Sequence, residues 1–185
     1  GILSGSVISK LQKLQHFEIE SNYLSGPIPS ELGALPDLIY VYIRRNSVDV
    51  QLHTMLATGL YPSLFSLWLD DNNVFGSIPD SIGQIQDLAS FSVTNSSLTG
   101  SIPSTLGLLQ GLRRVWLYDN KMTGSIPPQL SNLTRIEIFE IYGNGITGTM
   151  SASICNSVAS SIYEFKALTA DCDQITCVDC CTTCF

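Results

Sequence analysis

The residues best equipped for chemistry in this 185-residue chain are six cysteines, Cys155, Cys172, Cys177, Cys180, Cys181 and Cys184, all within the final segment 155–185. The run Cys177-x-x-Cys180-Cys181-x-x-Cys184 offers four sulfurs at a spacing that zinc sites also use. An even set confined to one end, after 154 residues without any cysteine, reads instead as a cap stapled by three disulfides. Fifteen pairings are open to it. Two N-x-S/T sequons, at Asn95 and Asn132, point to the same oxidising secretory route, so an extracellular or cell-surface location is expected.

Catalytic groups are sparse. His16 and His53 fall early in the chain, more than about 20 Å from any cysteine if the chain advances by strand spacings, which excludes a Cys–His dyad. There is no Gly-rich phosphate loop and no G-x-S-x-G elbow. Asp70, Asp71 and Asp119 lack an ordered calcium-binding loop, and solvated surface acids are the ordinary reading of the remaining carboxylates. We therefore expect no enzyme, no cofactor and no metal. Nine Lys and Arg against sixteen Asp and Glu give a net charge of -7, with no basic stripe for nucleic acid or an anionic membrane. No run approaches 18 apolar residues, and no charged segment followed by an apolar one opens the chain, so neither membrane insertion nor an address is expected within it.

What must position these residues is a repeat. Gly-Ser-Ile-Pro recurs at Gly76, Gly100 and Gly124, a period of 24. Upstream of each copy stands one apolar frame: Leu64, Leu67 and Leu69 before Asn72; Leu88, Phe91 and Val93 before Ser96; Leu112, Val115 and Leu117 before Asn120. Leu14, Phe17 and Ile19 before Asn22, Leu38, Val41 and Ile43 before Asn46, and Ile136, Phe139 and Ile141 before Asn144 repeat it. A weaker Ile162, Phe165, Ala167 is expected to close the series. Each frame alternates like a short strand with one apolar face, unstable until a neighbour stacks beside it. Asparagine ends the strand at a turn where its amide can serve unpaired backbone groups. Glycine then permits the bend, proline stiffens the crossing, and pairs three apart (Leu32 and Leu35, Ile82 and Ile85, Leu106 and Leu109, Leu130 and Leu133) suit a turn or two of helix.

Asn22-Tyr-Leu-Ser-Gly-Pro-Ile-Pro-Ser-Glu-Leu-Gly33 and Asn120-Lys-Met-Thr-Gly-Ser-Ile-Pro-Pro-Gln-Leu130 resemble the plant-type leucine-rich repeat, L-x-x-L-x-L-x-x-N-x-L-x-G-x-I-P. The resemblance covers nearly residues 1–154, about six repeats with the first incomplete, and leaves 155–185 as a Cys-rich cap. The tail from Leu168 to Cys184 is similar to Cys-rich tails of leucine-rich repeat proteins from diatom-like algae. The family implies an α/β solenoid: a right-handed superhelix with a parallel concave sheet and short helices or 3-10 turns on the convex side. Its members are typically receptor ectodomains, inhibitors or adhesion modules. A recognition module for a protein, peptide or glycan is expected, with a structural or assembly component as the alternative.

Three departures stand out. The unit from Leu38 lacks Gly-x-Ile-Pro, and Asn46 to Asn72 spans 26 residues, so an irregular loop or helix is expected on its convex side. Ser96 replaces an asparagine and should weaken one rung. Leu3-Ser-Gly5-Ser-Val7 matches Leu24-Ser-Gly26-Pro-Ile28, which places Gly1 at an asparagine position and implies an upstream cap.

Stacking the strands puts Glu18, Tyr42, Trp68, Ser92, Trp116, Glu140 and Lys166 in one outward column. Trp68 and Trp116 flank the small Ser92, leaving a notch roughly 10 Å wide unless the indoles lean over it. Tyr42, Tyr118 and Tyr142 stand near, and Asp70 and Asp119 supply acid for a basic ligand. Arg44 should pair with Asp70 and Arg45 with Asp71. For the tail, reduction of the native protein should add six hydrogens in mass spectrometry and release no metal; bound zinc would reverse the disulfide reading.

Overall fold

In the computed structural model, which describes residues 1–160, 167–171, 173–176, 183 and 184, each apolar frame forms a short strand. Six of these and two later strands make one parallel sheet in chain order: His16–Glu18, Tyr40–Tyr42, Ser66–Trp68, Ser90–Ser92, Arg114–Trp116, Ile138–Glu140, then Ala167–Ala170 and Thr183–Cys184. The central residues Phe17, Val41, Leu67, Phe91, Val115 and Phe139 pair in register and point inward. In one unit Leu88, Phe91, Val93, Leu98, Ile102, Leu106 and Leu109 are all at most 2% exposed. Burying such a set contributes on the order of 10 kcal/mol of gross transfer energy, much of it offset by chain entropy.

Opposite the sheet lie 3-10 turns at Ser30–Leu32, Asp80–Gln84, Ser104–Leu108 and Pro128–Asn132. A proline in extended conformation precedes each one (Pro29, Pro79, Pro103, Pro127), and the residue pairs three apart are buried as expected. Adjacent turns pack closely. A Cβ at Gly107 would collide with the carbonyl oxygen of Gln129 in the next turn.

The repeat pattern does not disclose a second sheet, which the structure adds along one flank. Ser25–Pro27, Ser47–Gln51, Asn73–Gly76 and Ser97–Leu98 form four parallel strands, and Thr123–Ser125, Gly145–Thr149 and Ile175–Thr176 form three more. Hydrogen bonds from Lys121 N to Leu98 O and from Thr123 N to Gly100 O, both 2.8 Å, link the two groups. Glycines at φ +83°, +72° and +85° (Gly76, Gly100, Gly124) turn the chain off this flank toward the convex side.

Between the two sheets runs the asparagine ladder. Asn72 Nδ2 donates to Ile43 O at 2.8 Å in the preceding unit and to Leu69 O and Asp70 O at 3.1 Å in its own; its Oδ1 accepts from Val48 N at 3.2 Å. Asn46, Asn120 and Asn144 repeat the arrangement. Ser96 keeps only hydroxyl contacts to Asn72 O at 3.0 Å and Thr94 O at 3.1 Å, the weaker rung expected there.

The irregular unit continues its flank strand to Gln51 and then makes a helical turn, Leu52–Met55, as anticipated. Two expectations need correction. At the start, Gly5–Ile8 is a helical turn and not a copy of the segment at Gly26. Ile8 is buried while Val7 is 57% exposed, because Ile8, Leu11 and Leu14 stand 24 residues before Leu32, Leu35 and Leu38 and follow their register. Gly1 accordingly sits beside Leu24, its carbonyl accepting from Ser25 N at 2.8 Å and its amine donating to Tyr23 O at 2.7 Å, away from the asparagine position.

At the other end the strand beside Ile138–Glu140 is Ala167–Ala170, with Thr183–Cys184 beyond it. Leu168 pairs with Phe139 and Thr169 with Glu140, so Thr169 takes the place in the outward column expected for Lys166, and Thr183 pairs with Thr169 in turn. Leu168 and Ala170 complete the core there, whereas the expected Ile162 and Phe165 lie outside the described residues. The boundary placed at 154 falls inside the helix Ala152–Ser160, beyond which the chain still adds strands to both sheets.

Replacing Asn72 by Ala leaves a buried N–H and several carbonyls without their partner. It should cost on the order of 3 kcal/mol in urea unfolding, while Ser96→Asn should gain about 1 kcal/mol. Equal, small effects at both positions would show that the ladder is not what joins the units.

Candidate functional site

The outward residues of the eight-stranded sheet fall in columns fixed by strand register. Tyr42, Trp68, Ser92, Trp116 and Glu140 are direct neighbours across the strands. Extended backbone alternates side chains, so a second column two residues on runs Glu20, Arg44, Asp70, Thr94, Tyr118, Tyr142. The structure therefore brings together the residues singled out from sequence, with Asp119 exposed on the rim beyond them.

The notch between the tryptophans is closed. Their ring centroids are 5.9 Å apart at 86°, an edge-to-face contact above the 4%-exposed Ser92. Trp68 is held over by its Nε1–H, which donates to Ser90 Oγ at 2.8 Å, and Tyr42 packs on its other side at 4.7 Å. A small residue between two large apolar rings is filled by the rings themselves, because exposed edges gain contact by tilting inward.

Arg44 does not pair with Asp70. Its guanidinium makes a two-pronged contact with Glu20, at 2.6 and 3.0 Å, and lies 4.6 Å from the centre of the Trp68 ring. Asp70 is already engaged, accepting from Ser92 Oγ at 2.5 Å and from Thr94 N at 2.9 Å. The hydrogen bond to Glu20 holds the Arg44 pKa above its ordinary value. Arg45 does face Asp71, at 3.7 Å, and Asp71 also accepts from Asn95 Nδ2 at 2.7 Å.

Beside the closed notch, an open pocket of about 220 Å³ is lined by Arg44, Arg45, Trp68, Asp70, Asp71, Ser92, Thr94, Trp116 and Tyr118. Its floor is polar and its wall aromatic. Tyr118 and Tyr142 stack next to it with centroids 4.8 Å apart and planes within 3° of parallel. Burial, assisted by the adjacent Tyr118 and then by Glu140 and Asp119, pushes the Tyr142 pKa up to about 12, and burial also raises that of Tyr118. Desolvation raises the half-buried Glu140 as well. Three groups whose charged forms are disfavoured thus surround aromatic faces that favour cations.

Three contributors escaped the reading of the sequence: Thr94, Ser90 and Glu20. Thr94 and Glu20 were legible in principle, since both occupy the column of Asp70. Ser90 was not, because its role follows from the tilt of Trp68. Asn95 is exposed on the pocket rim in left-handed conformation, and Asn132 is exposed at the end of the turn Pro128–Asn132. Cys155, in the helix Ala152–Ser160, is disulfide-bonded; Cys172, Cys177, Cys180 and Cys181 lie outside the described residues, as does the side chain of Cys184. His16 meets Tyr40 edge-to-face on the sheet, ring centroids 4.2 Å apart, while His53 belongs to the convex helical turn.

The leucine-rich repeat model matches residues 13–35, 63–85 and 111–133. A structure from Arabidopsis thaliana, the BIR3–SERK2 complex, superposes with TM-score 0.61 and 30% identity over 71% of this chain and 68% of that one. The chain belongs to the plant-type leucine-rich repeat family. A longer leucine-rich repeat structure, the plant peptide hormone receptor RGFR1 in complex with RGF2, matches with TM-score 0.79 and 34% identity over 92% of this chain. The receptor-like kinase TMK2 of Arabidopsis thaliana is 38% identical over 93 residues, which is 48% of this chain. This leucine-rich repeat chain spans 26% of the hormone receptor and 10% of the kinase.

The stacked tyrosines supply a check. Phenolate absorbance in an alkaline titration should contain a late component near pH 12 that Tyr142→Phe removes. Because the folded pKa is raised above the unfolded one, stability from this group is present below pH 10 and lost between about 10 and 12, so the variant should resist alkali better. A titration with no late component would remove the case for a desolvated pair.

Proposed function

We propose that this chain is part of an extracellular or cell-surface receptor-type module whose concave sheet binds an extended peptide segment, and that it performs no catalytic step. The observation that supports this best is the pocket between the tilted Trp68 and Trp116 and the Asp70, Thr94 and Tyr118 floor. Aromatic walls supply contact area at low entropy cost, and pre-engaged polar groups give a rigid floor. The peptide reading is supported by the plant peptide hormone receptor named above, solved in complex with RGF2, and the acids of the face favour basic side chains in the segment. Secretion agrees with the bonded Cys155 and the exposed sequons, and we extend the same reading to a tail closed by three disulfides.

Glycosylation at Asn95 would stand on the pocket rim beside Asp71, so ligand entry is expected from the opposite side of the sheet, past Tyr42. The direct test selects peptides from a random display library on the full chain and measures their affinity for variants. Trp68→Ala combined with Trp116→Ala should weaken the selected peptides more than about tenfold. Gln110→Ala, on the exposed convex side, should leave them unchanged, with circular dichroism confirming the fold. Unaltered affinity in the double variant would refute the site, and recovery of only copies of this chain from native material would favour an assembly role.

A further inference from the structure

The irregular unit interrupts the layer of 3-10 turns. Ser30–Leu32 is followed on the convex side not by another such turn but by the stretch after Leu52–Met55, and the next 3-10 turn begins at Asp80. Tyr61 plugs the gap. Its backbone N–H donates to Gly33 O at 2.6 Å, and its ring lies so close that a Cβ on Gly33 would stand 2.8 Å from Tyr61 Cε2. Positive φ at Tyr61, +59°, marks how tightly the chain turns to insert it.

Next to this plug a cavity of about 370 Å³ opens on the flank, lined by Pro27, Ile28, Pro29, Met55, Tyr61 and Phe75, with Ser30, Asp49, Gln51 and Thr54 at its polar edge. It shares no residue with the concave pocket. Tyr61 is 1% exposed, and its hydroxyl is not among the fully buried oxygens left without a partner, so the little surface it keeps opens to the cavity that Tyr61 lines. Burial also keeps it protonated, as a donor, to well above the ordinary tyrosine range.

We propose that this flank cavity binds a small, neutral, largely apolar molecule carrying one carbonyl or ether oxygen, with its ring body against Ile28, Met55 and Phe75 and its oxygen accepting from the Tyr61 hydroxyl. The volume suits a compact ring compound. No cation lines the cavity and Asp49 stands at its edge, which disfavours an anion. Ser47–Gln51 and Asn73–Gly76 are paired on both sides, and the outer strand Ser25–Pro27 has its Ser25 N bonded to Gly1 O and no N–H at Pro27, so an extended peptide finds no free donor edge to join. Phe75, 40% exposed, forms a wall that such a molecule would cover.

The test uses ligand-observed NMR on the full chain with three probes: acetophenone, ethylbenzene and benzoate. Acetophenone should bind most tightly. Tyr61→Phe should weaken it roughly fivefold, the range of one hydrogen bond, while leaving ethylbenzene unchanged. Thr54→Trp, an exposed position on the cavity edge, should abolish both by filling the space. Thermal unfolding of Tyr61→Phe should show no loss of stability, since no protein partner is orphaned. Failure of acetophenone to bind, binding that survives Thr54→Trp, or equal weakening of acetophenone and ethylbenzene by Tyr61→Phe would each overturn the assignment.

Discussion

The buried carboxamide that joins one repeat to the next is the interaction on which the rest of the molecule depends. Each ladder asparagine lies where the concave strand ends and the flank strand begins, and its four contacts reach backbone groups of two consecutive units. Without it, the bend between the sheets would bury an N–H and carbonyls that nothing else reaches. Its demands fix the local backbone. The residue before the ladder position takes a left-handed conformation in every unit from Ser21 through Arg45, Asp71, Asn95 and Asp119 to Gly143. Because the carboxamide spans units, it also fixes their relative register, so the outward side chains meet in columns rather than at random.

The columns explain how much of the site was legible. The period of 24, the inward frame and the neighbours Tyr42, Trp68, Ser92 and Trp116 follow from spacing alone, since a parallel stack converts equal sequence position into contact. What the pattern leaves open is the choice among partners of similar reach. Arg44 has an acid on either side, Glu20 and Asp70, and the choice falls to Glu20 because Ser92 and Thr94 already occupy Asp70. The closing of the notch is likewise a rotamer event, set by the hydroxyl of Ser90. The flank sheet went unread because Ser-Gly-Pro and Thr-Gly-Ser carry no strand-like alternation; those segments are extended because neighbours on both sides offer backbone partners. At the ends of the stack the period is not what misleads: matching Gly5 to Gly26 takes an offset of 21 although the 24-residue register holds there, and the offset of 29 from Phe139 to Leu168 hides the next strand.

The two proposed sites divide along the same line between regularity and exception. The concave face uses the repeat as a frame and varies only what projects from it. The flank cavity exists because one unit abandons the Gly-x-Ile-Pro phrase, leaving a gap that the Tyr61 ring, packed on Gly33, fills only in part. Between the regular turns Asp80–Gln84, Ser104–Leu108 and Pro128–Asn132 the packing is close enough that Gly107 tolerates no side chain.

The spacing of the concave strands carries a further consequence for any chain lying across them. Rungs recur about every 4.8 Å, whereas an extended peptide advances about 3.4 Å per residue. The two scales behave as a vernier, drifting out of step and coinciding only at intervals. Two rungs, the separation of Trp68 and Trp116, come to nearly three peptide residues, an odd number that turns successive anchors to opposite sides. A ligand read by such a surface need not be repetitive, and the aromatic positions need not recur in every unit. The solenoid can be periodic in its backbone while recognising an aperiodic partner.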